Sequence, residues 1–311
     1  MMCQQAMSKE AETPLTSIEA EHFLKATRGR EDGLYAPMIL GIDNLESQAL
    51  RVFMECRRDM ASWLIETSEV FGIEPATAEA AQRLLDRLCC IDMDLVEDFE
   101  LYQVSCLACL IIACKMFQTK DTFRRKSGLQ HLSKGFFSQE EIDHMELHVL
   151  YSLGWRVQPP TAVKIAESLL DTIPLADYSS IPTLAHTTTE INELIQLSLI
   201  DPRFMPFRAS SVALAAVVHT LQPRMTSDQF QPLYQYFQGL LEQDDSVAEE
   251  REQLADLFMQ LTPKAKDSGH AAVPHPCSDR VLSNRLGKAT QSPSSSPRSV
   301  VPTKNLQPRT C

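Results

Sequence analysis

Four charged side chains sit where an apolar stripe would prefer hydrocarbon, and a charge in such a place needs a partner. Arg57 falls between Met54 and Met60-Ala61 on one helical face, and Asp86 falls among Leu84, Leu85 and Leu88 of the next. Two readings are open for these two: a buried ion pair that ties the helices together, or unrelated charges that face water. Lys115 closes an apolar run that begins after Glu100. A cation there also offsets the macrodipole at a helix C-terminus. Glu146 lies on a stripe formed by Ile142 and Val149, where the plain alternative is a stripe-edge carboxylate that reaches solvent.

Other groupings point to no reaction. His144 and His148 are four apart with Glu146 between them, whereas the zinc-protease order needs Glu directly after the first His. Cys106 and Cys109 lie inside an apolar segment without a second pair, which suits small core residues rather than a zinc site. The sequence has no Gly-rich phosphate loop and no nucleophile–His–acid set. Neither a metal nor a cofactor is expected, and the chain is not expected to be an enzyme.

Bulk composition narrows the partners. Net charge is −12, and the segment from Thr262 onward carries eight Lys or Arg against two Asp, which leaves about −18 on residues 1–261. A body so acidic is a poor match for a phosphate backbone, which needs clustered cations. A protein or basic peptide suits it better. Nine cysteines with no secretory h-region at the start argue for free thiols in a reducing compartment. The longest apolar run, between Glu100 and Lys115, is shorter than the ~20 residues of a membrane span and reads as a buried helix.

Helices must position these residues: Gly is only 10 of 311 and aromatics 7%, and the periodicity is 3.6. Residues 1–43 are polar with scattered Pro and Gly and read as an irregular lead-in. A first helix is expected from about Asn44 to Phe71, stopped by Gly72, and a second from Pro75 to about Cys90. A third, apolar nearly all round, runs from Phe99 to Phe117, and a short segment near Leu129–Leu132 is a candidate fourth. Ser138 and Glu141 form a capping box that opens a fifth, ended by Gly154. Pro159-Pro160 marks a boundary. Beyond it helices are expected at 161–171, 183–200, 208–221, 227–241 and 246–261. The small-apolar texture of Ser211–Val218 repeats that of Ser105–Ile112, which suggests two stacked five-helix bundles. Residues 262–311, rich in Ser, Pro and basic residues, are expected to be a disordered tail.

The order of these features resembles the cyclin box. Cys56-Arg-Arg-Asp-Met-Ala-Ser-Trp-Leu is similar to M-R-x-I-L-x-D-W-L, with Arg57, Trp63 and Leu64 matching. Arg83-Leu-Leu-Asp-Arg-Leu is similar to Y-[IL]-D-R-[FY]-L, with Asp86 and Arg87 matching. Ile111-Ile-Ala-Cys-Lys115 is similar to L-[IL]-A-[SA]-K. The stretch from Met145-Glu146 to Trp155, followed by Pro159-Pro-Thr, resembles M-E-x-x-[IV]-L-x-x-L-x-[FW] and then P-T. Glu193–Asp201 resembles the family's later E-L-S-L-x-[DE] segment. The likeness covers roughly residues 44–260 and leaves the subtype open.

The resemblance implies an all-α chain of two tandem five-helix cyclin folds, the box at 44–158 and a second fold at 159–261. It implies a non-catalytic subunit that binds and activates a cyclin-dependent Ser/Thr kinase in cell-cycle control, in the nucleus or cytoplasm, with no nucleic-acid or membrane partner. Arg57 and Asp86 match the family's buried pair. Lys115 and Glu146 match the residues that meet the kinase beside the regulatory helix of its small lobe, where the cyclin favours the active state. Cys56, Met60, Trp63, Glu66 and Gln103 match a patch that docks Arg-x-Leu substrate peptides. Two departures stand out: Cys56 replaces the patch's Met, and a basic stretch including Arg124-Arg-Lys126 follows Lys115. Thr262-Pro, Ser292-Pro and Ser296-Pro are minimal sites for proline-directed kinases. Two other classes remain open, a cyclin-fold scaffold without a kinase and a transcription-related protein similar to factor IIB.

Overall fold

The computed structural model describes residues 17–36, 47–118, 135–173, 184–241 and 248–267. They form eleven α-helices and two short 3-10 turns, and the described residues contain no strand. The helices are α1 Ser17–Gly33, α2 Ser47–Phe71, α3 Pro75–Ile91, α4 Asp94–Glu97, α5 Phe99–Phe117, α6 Gln139–Ser152, α7 Ala162–Asp171, α8 Leu184–Ile200, α9 Ala209–Leu221, α10 Ser227–Leu240 and α11 Ala248–Asp267. Chain contacts separate a unit ending at His270 from a second, Ala271–Cys311, which lies outside the described residues.

Local chemistry explains the boundaries. Gly72, at φ +59°, closes α2 in the left-handed conformation that a side chain resists. Pro75 then sits at the start of α3, where its missing N–H costs nothing. Asp98 caps α5 by accepting the N–H groups of Glu100 (2.9 Å) and Leu101 (3.1 Å). Ser138 and Glu141 complete a reciprocal capping box at α6. After Pro159-Pro160, Thr161 caps α7 through the Lys164 N–H.

Two apolar clusters form the core. The first gathers α2, α3, α5 and α6 around α5, whose residues from Val104 to Cys114 are all buried. The second gathers α1 and α7–α11 around α9. The two segments of shared texture, Ser105–Ile112 and Ser211–Val218, thus lie in the central helix of each cluster. By length and composition α5 passes for a membrane span, yet most of it is buried inside its cluster, as a helix without a polar face must be.

Three expectations need correction. The lead-in is not irregular throughout: α1 occupies Ser17–Gly33 and buries Ala20, Leu24, Thr27 and Glu31 on one narrow stripe. Half of that stripe is polar, so it carries little hydrophobic periodicity. The tail does not start at Thr262, because α11 continues through Thr262-Pro263 to Asp267. Leu254 and Phe258, both fully buried, anchor this helix, and propagation beyond an anchored turn is cheap. The short helix α4 was not anticipated. The segment 129–132, Ser292 and Ser296 lie outside the described residues.

Candidate functional site

The structure brings Arg57 and Asp86 together across α2 and α3. Arg57 Nε donates to Asp86 Oδ1 at 2.9 Å and Nη2 to Oδ2 at 2.8 Å, the bidentate fork a guanidinium offers a carboxylate. Gln82 adds a 2.8 Å bond to Asp86. The third arm of Arg57 donates to the carbonyl of Leu199, in the last turn of α8, at 3.1 Å. Arg57 is only 2% exposed. Burial alone would lower its pKa, but the charge and hydrogen bonds of Asp86 outweigh that and hold it above the ordinary value.

Lys115 and Glu146 also meet, as an ion pair between the end of α5 and the middle of α6. Their surroundings differ: the Lys115 side chain is 47% exposed and that of Glu146 10%. Glu146 Oε1 is buried and has no hydrogen-bond partner among the described residues. A buried carboxylate oxygen left so is costly.

Two buried acids escaped the sequence reading. Glu79, on α3, accepts the N–H groups of Ala162 (2.7 Å) and Val163 (3.0 Å) at the start of α7, and the Nε of Arg83 at 2.7 Å. Glu31, near the end of α1, accepts the Ser210 N–H at the start of α9 at 3.0 Å. Each carboxylate faces the positive end of a helix dipole. The available signal for Glu79 was an acid on the buried Ala78–Ala81 face of α3, set opposite a helix start.

The docking-patch positions are spread in depth. Cys56 and Met60 are buried, whereas Trp63, Glu66 and Gln103 are half-buried. No group of three or more His, Cys, Asp or Glu is placed to hold a metal among the described residues. His148 pairs with Asp92 at 3.0 Å, and His144 is exposed. Cys89, Cys106 and Cys109 are free and buried, and burial pushes their thiols well up.

Residues 41–158 match the family described as cyclin, N-terminal domain. That segment carries the likeness to cyclins, and the curated relatives the chain matches are cyclins. It is 27% identical over 218 residues to Cyclin-D3-1 of Oryza sativa subsp. japonica, covering 68% of this chain and 60% of that one. It is 25% identical over 175 residues to Cyclin-D3-3 of Arabidopsis thaliana, covering 56% and 47%. With G1/S-specific cyclin-E1 of Danio rerio it shares 24% over 191 residues, covering 58% and 46%. The chain spans about half the length of the curated relatives it matches. An X-ray structure of a viral cyclin from herpesvirus saimiri superposes with a TM-score of 0.53 at 17% identity, over 78% of this chain and 97% of that one, which shows the shared fold. The matched region includes all four charged residues from which the site is built, and the relatives named D and E single out no subtype.

Proposed function

We propose that this chain is a cyclin, the non-catalytic regulatory subunit of a cyclin-dependent Ser/Thr kinase in cell-cycle control, in the nucleus or cytoplasm, and that Lys115 and Glu146 meet the kinase. The observation that carries the reading is the Lys115–Glu146 pair. It joins an exposed cation to a buried carboxylate that keeps one oxygen unpartnered, inside the region matched by the family. The subunit supplies no chemistry; it contributes binding energy only to the active arrangement of the kinase's regulatory helix.

The same reading gives α2 a second task, docking Arg-x-Leu substrate peptides. The burial of Cys56 and Met60 makes them the floor of the patch and leaves Trp63, Glu66 and Gln103 to meet the peptide.

The test is co-purification with candidate cyclin-dependent kinases, followed by peptide phosphorylation. Wild type should bind and activate one of them, and Lys115→Ala/Glu146→Ala should lose both with its helical content unchanged. A folded wild type that activates none, or a double variant that activates fully, overturns the reading.

A further inference from the structure

Where α1 ends, three arginines gather without an acidic partner. Arg30 is near the C-terminus of α1, Arg87 lies on α3, and Arg156 follows the end of α6. The ring of Tyr35 lies against two of them, with the guanidinium carbons of Arg30 and Arg87 at 5.5 and 5.2 Å from its centroid, and Arg156 stands two positions before Gln158, which bonds both Tyr35 and Arg30. The backbone fixes the arrangement: Arg87 donates to the carbonyls of Leu34 (3.2 Å) and Ala36 (3.4 Å), Arg30 donates to the Gln158 carbonyl, and the Gln158 N–H donates to Tyr35 Oη at 3.0 Å. Among the described residues, none of the three arginines has a carboxylate at ion-pair distance.

That absence is informative in a chain with 41 acidic residues against 29 Lys and Arg. The acids nearby are committed elsewhere, wholly or in part: Asp86 to Arg57 and Gln82, Glu79 to Arg83 and the start of α7, Asp32 to Arg28 and Arg208, and Glu31 through one oxygen to Ser210, its other oxygen being buried and unpartnered. Glu31 and Asp86 line the same cleft as Arg87, whereas Arg30 and Arg156 are not part of its lining, which leaves these two for an incoming anion. Burial holds the Arg87 guanidinium below its ordinary value, and Arg156 adds to the effect; its Nε is buried without a partner. Arg156 itself is exposed. Like charges held together this way repel until an anion arrives.

We propose that Arg30, Arg87 and Arg156 around Tyr35 form a binding site for a phosphorylated Ser or Thr on a protein ligand. A phosphate monoester carries about −1.5 to −2 charge and three acceptor oxygens, which matches several guanidinium forks better than a single carboxylate does. The acidic body disfavours polyanions such as nucleic acid or an anionic membrane face. It leaves room for one compact anion on an otherwise uncharged peptide. Arg30 and Arg156 contact the phosphate, and Arg87 holds Leu34–Ala36 in place and adds its field. The inference stands apart from the kinase reading, since it uses neither Lys115 nor Glu146.

The test uses the full chain and a fluorescent peptide with one phosphoserine-proline in an uncharged sequence, read by anisotropy. The phosphopeptide should bind at least about tenfold more tightly than its unphosphorylated form, as charge-assisted forks require. Arg156→Glu should abolish that difference; this residue is exposed and its one bond, to the Leu153 carbonyl, is made by the backbone, so its melting curve should match wild type. Lys115→Ala/Glu146→Ala should bind the phosphopeptide normally even if it activates no kinase. Equal binding of the two peptides, an unchanged preference in Arg156→Glu, or binding to phosphatidylserine vesicles but not to the phosphopeptide would each overturn the proposal.

Discussion

Replacing Glu79 by Gln isolates how α3 holds the start of α7. The carboxylate takes three hydrogen bonds, two from the N–H groups of Ala162 and Val163 and one from Arg83, and the residue is 2% exposed. Glutamine keeps the shape and one acceptor but turns an NH2 donor toward other donors. Hydrogen bonds to a charged group contribute roughly 1.5–3 kcal/mol each, and a favourable helix-terminus charge adds up to about 2. Loss of one such bond and of the dipole interaction gives roughly 3–5 kcal/mol. For a folded body of this size each kcal/mol shifts the melting midpoint by about 2–4 °C, so thermal unfolding by circular dichroism should show a fall of roughly 10 °C. Arg83→Gln is the control. It removes the partly exposed partner (24% exposed) but leaves both backbone bonds from Ala162 and Val163 to the carboxylate in place, so it should lower the midpoint less than Glu79→Gln does. If Glu79→Gln melts with wild type, or if Arg83→Gln costs as much, the carboxylate does not anchor α7.

Three further outcomes follow from the same contacts. Asp86→Ala should cost about 3–5 kcal/mol, because Arg57 stays buried without its counter-charge, whereas Arg57→Met/Asp86→Leu should recover most of that in a double-mutant cycle; equal losses would mean that the pair itself is stabilising. Burial raises the thiols of Cys89, Cys106 and Cys109 and the Tyr102 phenol, and lifts Cys90 to about 11. Raised groups of this kind stabilise the fold below their unfolded value and lose that contribution as pH climbs through the folded one. The melting midpoint should therefore drop from about pH 9 upward, less steeply in Cys109→Ala, and a flat profile would refute this. Leu24→Ala, at a fully buried position on α1, should cost about 2–5 kcal/mol in urea unfolding; no change would mean that α1 is not part of the second core.

How far the sequence could be read depended on how each feature is encoded. The range of α5 was legible to the residue, because its apolar texture starts after a capping Asp98 and ends at Gln118. The capping box at Ser138 and the Pro-Pro boundary were equally plain, since each is a local signal. Arg57 and Asp86 drew notice as charges on apolar faces. The third contact of Arg57 could not, because its partner is a backbone carbonyl 142 positions away. Glu79 and Glu31 hid for a related reason: their partners are the N–H groups of Ala162, Val163 and Ser210, which every residue except proline carries. The stripe of α1 was hidden by Thr27 and Glu31, polar residues that count against burial in any hydrophobic pattern yet are 3% and 2% exposed.

Those backbone-directed charges share one logic. Arg57 meets a carbonyl in the last turn of α8, while Glu79 and Glu31 meet the first N–H groups of α7 and α9. Arg57 and Glu79, on helices of the first cluster, thus find helix ends of opposite partial charge in the second, and Glu31 does the same within the second. Such contacts are directional in a way that apolar packing is not, so the first two specify one mutual placement of the two clusters. The helix α3 that carries Glu79 and Asp86 also packs on α5, and α5 packs on α6, the two helices that present Lys115 and Glu146. A subunit that supplies only a surface gains most when that surface is ordered before the partner arrives, because binding energy is then not lost to ordering it. The polar seam between the clusters and the proposed kinase contact are in that sense parts of one device: the first fixes the geometry that the second presents.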